Sequence, residues 1–244
     1  VAQSVSASPR VLADADALAD TAADRVLEHA RRAIRARGAF RIAVPGGRSP
    51  RGMLERLAAP PRAGALEWPH VTVLLADERA LPANDPERNS RLLEQALLAP
   101  LGSRAPRFLP IAAERTDLES AASEYEPWLE EPLDLLVLGV GEDGHVASLF
   151  PGSKSLSERE RRVAVIHDSP KPPPSRVTLT PRSLAEARAI LVIASGADKA
   201  AAVAAALASG VEPGRVPAAL ARRGEWLLDR EAASALTSGA KGAR

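Results

Sequence analysis

The chain has 244 residues, with 32 Lys and Arg against 31 Asp and Glu, and no cysteine. That length carries a full-sized core, and the balanced charge gives no bulk attraction to nucleic acid or to an anionic membrane. The absence of cysteine excludes disulfides, thiol nucleophiles and cysteine metal sites, and no apolar run reaches the roughly 18 residues of a membrane-spanning helix. The opening VAQSVSASPR lacks the basic-then-apolar order of a signal peptide, so a cytoplasmic protein is expected.

Residues 13–37 place Leu18, Ala22, Val26, Leu27, Ala30 and Ile34 at helical spacing, and Gly38 is a natural stop. Phe40, Ile42 and Val44 predict a short strand. It runs into Pro45-Gly46-Gly47-Arg48-Ser49-Pro50 and then an apolar-periodic segment through Leu57. Ser49 reads as the N-cap of that helix and Pro50 as its first residue. A helix start after a glycine turn offers free N–H groups and a positive dipole end, which suits phosphate; an ordinary strand–helix turn accounts for the same residues. Residues 71–76 predict a buried strand ending in Asp77-Glu78-Arg79. Arg79 there is either part of a solvated cap or an anion clamp, since guanidinium forks match phosphate oxygens. A loop follows, then Arg88-Asn89-Ser90 opens a helix through about Leu98, and residues 117–130 predict another helix.

Residues 133–152, LDLLVLGVGEDGHVASLFPG, organise the rest. An apolar run of strand length suits a parallel strand covered on both faces. It stops at Gly139, Gly141 and Gly144, with Glu142, Asp143 and His145 among and after them. Acids and an imidazole in a glycine turn, at the C-terminal end of a buried strand, lie where open α/β sheets bind ligands. Residues 154–162 read as a surface loop and 163–166 as a short strand. The segment SPKPPPSR reads either as a polyproline linker or ligand or as a stiff loop that holds Lys171 and Arg176 before the alternating Val177 and Leu179. Residues 190–194 form another apolar strand, Ser195-Gly196-Ala197-Asp198-Lys199 turns into a helix over 198–209, and 226–229 is a last strand. Strands alternate with helices throughout, so the expected fold is α/β, a mostly parallel Rossmann-like sheet with helices on both faces. Residues 1–244 make one domain, with a small added lobe over 152–180.

The histidines (His29, His70, His145 and His167) show no metal-ligand spacing. There is no G-x-S-x-G elbow, dinucleotide fingerprint or P-loop. What remains is an anion pocket beside one general acid/base, the kit for acid–base work on a small phosphorylated metabolite.

GEDGHVASLFPG closely resembles the G-x-G-x-D-G-H-x-A-S-L-F-P signature of the 6-phosphogluconolactonase family. SPKPPPSRVTLT is similar to that family's S-P-K-P-P-x-R-[IV]-T-L-T segment, LADERALPANDPERNS to its D-E-R segment, and VPGGRSP to its S-G-G-S-T-P loop. The matches run in order over roughly residues 40 to 230. The chain departs at Pro45 and Arg48, which replace small or hydroxyl residues, and at Arg88, where the family usually has Ser.

The resemblance implies hydrolysis of 6-phospho-D-glucono-1,5-lactone, the second step of the oxidative pentose phosphate pathway. It also implies the sugar-phosphate isomerase-like fold shared with glucosamine-6-phosphate deaminase. His145 matches the catalytic base, with Asp143 beside it. Gly46, Gly47, Arg48 and Ser49 match the phosphate loop, and Arg79, Lys171 and Arg176 the anion-binding positions. Asp77, Asn89, Gly141 and Gly144 complete the candidate binding set. A helix starting at His145 would disfavour imidazolium and keep the base neutral. No metal or cofactor is implied. The partner is a small sugar phosphate lactone, with no nucleic acid or membrane, and the protein is a monomer or homodimer. Two alternatives stay open: a glucosamine-6-phosphate deaminase-type isomerase, and a non-catalytic sugar-phosphate sensor.

Overall fold

The computed structural model describes residues 8–236, so most of the segment read above for a signal peptide lies outside the described residues. Its strands are β1 (Arg10–Leu12), β2 (Phe40–Val44), β3 (Val71–Leu75), β4 (Asp77–Arg79), β5 (Arg107–Leu109), β6 (Leu135–Leu138), β7 (Val163–Ile166), β8 (Arg176–Leu179), β9 (Ile190–Ala194) and β10 (Glu225–Asp229). Seven of them form one parallel sheet in the order β1-β10-β9-β6-β2-β3-β5. The other three form a small antiparallel sheet, β4-β8-β7. The helices are α1 (Ala15–Arg37), α2 (Arg48–Ala58), α3 (Asn89–Leu93), α4 (Ala99–Leu101), α5 (Leu118–Tyr125), α6 (Pro181–Glu186) and α7 (Ala200–Leu207). Among the described residues, no helix is long and apolar enough to cross a membrane.

β6 and β9, at the centre of the sheet, are apolar and buried at every position, as a strand covered on both faces requires. Right-handed crossovers then dictate the layers. β2 leads through α2 to β3 in one direction across the sheet, whereas β6 leads to β9 in the other. The two connections therefore carry their helices to opposite faces. α1 and α3 pack beside α2 on one face. α6 and α7 meet through the 3-10 turn Pro217–Ala221 on the other. α1 follows its periodicity: Leu18, Ala22, Val26 and Ala30 are buried, Asp14 accepts the Ala17 N–H at 2.8 Å, and Gly38 closes the helix at φ 76°.

Several boundaries differ from the sequence reading for local reasons. The helix expected over 117–130 is α5 followed by a 3-10 turn, Glu126–Leu129, because Pro127 has no N–H to donate. The helix expected from 89 to about 98 is α3 running into a π turn, Glu94–Leu98. The helix expected over 198–209 is α7, preceded by a 3-10 turn, Ala197–Lys199. Asp77-Glu78-Arg79 is not a solvated cap but a strand of the small sheet. Ala76 makes the change of sheet: its N–H donates to Val44 O at 2.9 Å, and its carbonyl accepts from Leu179 at 2.8 Å.

Candidate active site

β2 and β6 are neighbours, and the chain leaves them in opposite directions. Such a switch point opens a crevice at the C-terminal strand ends. A cavity of about 300 Å³ lies there. The loop after β2, the loop after β6, the turn after β9 and the small sheet all reach it.

The loop after β6 builds a histidine–carboxylate pair. Gly141 N donates to His145 O and Gly144 N to Gly141 O, both at 2.9 Å, which closes the turn. Gly144 has φ 84°, and Ala147, just past the histidine, is held at φ 49°, a region an L side chain rarely adopts. His145 Nδ1 lies 2.5 Å from Asp143 Oδ1, and its backbone N–H donates to the same oxygen at 3.2 Å. Burial works against the Asp143 carboxylate, yet the hydrogen bond and charge of His145, aided by Lys171, hold its pKa well below the usual carboxylate range. Asp143 therefore stays ionised, and the stability this pairing adds is lost only as pH falls through that depressed value. An ionised carboxylate only accepts, so Nδ1 carries a proton, and in the neutral ring Nε2 holds the lone pair. Phe150 supports the ring from 4.6 Å. No helix starts at His145, so the condition for the dipole argument above is not met. The tautomer is set by Asp143, not by a helix dipole.

The loop after β2 differs from expectation in one cap. Gly47, at φ 108°, occupies the N-cap position and α2 starts at Arg48, so Ser49 is inside the helix. Its hydroxyl is instead 2.8 Å from that of Ser195, across the cavity from the turn after β9. A Cβ on Gly46 would lie 1.9 Å from Asn89 Oδ1, so only glycine lets these loops touch. Arg48 stands at the rim, 84% exposed and 3.5 Å from Asp198.

The small sheet supplies the third wall. Asp77 is buried and accepts from Asn89 Nδ2 at 3.0 Å and Ser148 Oγ at 2.7 Å. Arg79 lines the cavity, and its Nη1 donates to the Glu87 carbonyl. Arg176 spends its donors differently. They go to the carbonyls of Lys171, Pro172 and Pro173, at 2.9–3.2 Å, so it organises the loop that carries Lys171. Burial pushes its guanidinium pKa down, against the attraction of Asp77. Lys171 reaches Glu142 at 2.7 Å. Glu78, fully buried, accepts the N–H groups of Arg79, Asn89 and Ser90 at 2.8–2.9 Å. It thereby caps α3, whose own N-cap residue, Arg88, makes no side-chain cap bond. Glu78→Gln replaces an acceptor by a donor facing those N–H groups. It should cost about 1–3 kcal/mol of stability, read from urea unfolding.

The family model described as "Glucosamine-6-phosphate isomerases/6-phosphogluconolactonase" matches residues 13–228. The chain belongs to this family. A 6-phosphogluconolactonase of Streptomyces coelicolor is 40% identical over 241 residues, covering 91% of this chain and 92% of that one. One of Mycobacterium tuberculosis is 38% identical over 250 residues, covering 96% and 100%. The solved 6-phosphogluconolactonase from Trypanosoma brucei superposes with a TM-score of 0.81 at 26% identity, covering 94% of this chain and 99% of that one. A monomeric glucosamine-6-phosphate deaminase, at 21% identity and TM-score 0.78 over 93% and 99%, shares the fold.

Of the family positions carried over from sequence, Gly46, Gly47, Arg48, Ser49, Asp77, Arg79, Asn89, Gly141, His145, Lys171 and Arg176 all line the cavity. Asp143 and Gly144 do not; they act from behind, through His145 and the turn. Two lining residues, Ser195 and Lys199, were assigned no role from sequence. The signal for them was present: a glycine turn between a buried strand and a helix, the same grammar that marked Gly46 and Gly47. Arg88, a departure from the family pattern, does not enter the cavity. It is 3% exposed and lies 3.3 Å from Glu78 and 2.8 Å from Glu114, so it braces the wall from outside.

Proposed function

We propose that this chain hydrolyses 6-phospho-D-glucono-1,5-lactone to 6-phospho-D-gluconate, the lactone step of the oxidative pentose phosphate pathway. The observation that carries the reading is the Asp143-oriented His145 beside a cavity lined by Arg48, Arg79, Lys171, Arg176 and Lys199. A lactone is an activated ester, so a positioned base and water are sufficient chemistry. Nε2 of His145 takes a proton from water as its oxygen bonds to the lactone carbonyl carbon. Asp143 stabilises the imidazolium that forms. As the bond from that carbon to the ring oxygen breaks, the imidazolium returns the proton to the departing oxygen. The cations and the N–H groups at the start of α2 hold the phosphate dianion and stabilise the carbonyl oxyanion.

The test is lactone disappearance above its spontaneous rate, run beside ammonia release from glucosamine 6-phosphate. Lactone loss without ammonia release is expected; ammonia release alone would favour the deaminase reading. That reading needs an Asp base placed for proton abstraction next to a carbonyl, and Asp77, which lines the cavity, accepts from Asn89 and Ser148. Binding of 6-phosphogluconate without any acceleration would favour the sensor. Arg79→Ala and Lys171→Ala should each raise KM about tenfold with kcat nearly unchanged, because a charge-assisted contact to the phosphate persists from ground state to transition state. An unphosphorylated lactone should be a poor substrate for the parent. Equal turnover of both lactones would sink the phosphate pocket.

A further inference from the structure

Asp229 lies at the C-terminal end of β10, 4% exposed, and does not line the cavity. β10 runs parallel to β9 with Leu228 opposite Ala194, which puts Asp229 beside the turn that begins at Ser195. Its two carboxylate oxygens accept the Gly196 N–H at 3.0 and 3.1 Å, and Oδ1 also accepts the Ala232 N–H at 2.7 Å. Gly196 sits at φ 97°, and its carbonyl accepts from Lys199 N at 3.1 Å. The turn so pinned presents the Ser195 hydroxyl to Ser49 at 2.8 Å and brings Lys199 to the cavity wall. Asp198, exposed on the same turn, pairs with Lys199 at 3.0 Å and lies 3.5 Å from Arg48.

A buried carboxylate is costly unless its oxygens are satisfied. Here the partners are backbone N–H groups of two turns, with no Lys or Arg pairing it among the described residues. One of those turns carries cavity residues and the other does not. We infer that Asp229 is a positioning residue for substrate binding: it fixes the turn 195–199 so that Ser195 and Lys199 complete the phosphate pocket. This rests on the phosphate-pocket reading above.

The test uses Asp229→Asn, Asp229→Ala, Lys199→Ala and the double variant Asp229→Ala/Lys199→Ala in the full chain. Asparagine keeps the shape, but its amide NH2 faces one of the N–H donors. Asp229→Ala should raise KM for the phosphorylated lactone, and the inhibition constant of inorganic phosphate, by about tenfold each, as loss of a charge-assisted contact does. Turnover should stay within about threefold. Asp229→Asn should show the same pattern, more weakly. In the double variant the two effects should fall well short of multiplying, because Asp229→Ala acts in large part through Lys199. A fall in kcat at constant KM, or effects that multiply in the double variant, would overturn the inference. Should Asp229→Ala fail to fold, Asp229→Asn and its double variant with Lys199→Ala decide in the same way. If the parent does not accelerate lactone loss, the functional reading falls. Calorimetric phosphate binding by the same variants still settles Asp229.

Discussion

His145→Ala should lower turnover by about 10²–10⁴-fold, the usual contribution of a positioned general base, while 6-phosphogluconate affinity should stay within about threefold. The split follows from where the ring stands. It lines the cavity, yet its polar bonds run backwards, to Asp143 through Nδ1 and to the turn through its own backbone. Only Nε2 is left for the proposed reaction, where proton transfer would be needed in the transition state but not in the product complex. In the proposed pocket the anion contacts would come from other elements, the small sheet and the starts of α2 and α7, so removing an imidazole would leave them in place. Steady-state kinetics on the lactone and calorimetry with the product measure the two halves. Equal losses in both would mean that His145 binds rather than reacts.

The parts of this site that were legible in sequence are those written in contiguous residues. β6 and β9 are unbroken apolar runs and β2 and β3 are apolar but for Arg41 and Thr72, and each ends in the polar or glycine-rich stretch that faces the cavity. β1 and β5 were not legible. They are three-residue edge strands, RVL and RFL, too short for any alternation to register. Bonds between distant segments were equally hidden. Arg88 meets Glu78 and Glu114 across turns whose packing no local pattern encodes. Arg176 matches an anion-binding position through the family resemblance, and its sequence does not show that most of its donors hold its own proline loop. Ser49 fits a cap by type, yet Gly47, with its positive φ, took that position because only glycine turns the chain there without strain. No helix starts at His145; what the carboxylate two residues away selects is which ring nitrogen faces the cavity.

Gly141→Ala should reduce turnover by about 10²-fold in a protein that still folds, since displacing a reacting group by about 1 Å is enough for that loss. A Cβ at this position would sit 2.0 Å from His145 Nδ1, 2.2 Å from Cε1 and 2.6 Å from Asp143 Oδ1. Real Cβ atoms do not approach so closely, so the ring, the carboxylate or both must move, and the Nδ1–Oδ1 bond that selects the tautomer is the contact in the way. Gly139 provides the control. It lines the same cavity, but a Cβ there meets nothing within 4 Å. Gly139→Ala should therefore keep turnover within about threefold of the parent. Thermal melts of both variants separate misplacement from unfolding. If Gly141→Ala turns over like Gly139→Ala, the Asp143–His145 geometry is not what the reaction depends on. If instead it loses turnover while phosphate still inhibits as in the parent, the damage is confined to the base, where the steric conflict lies.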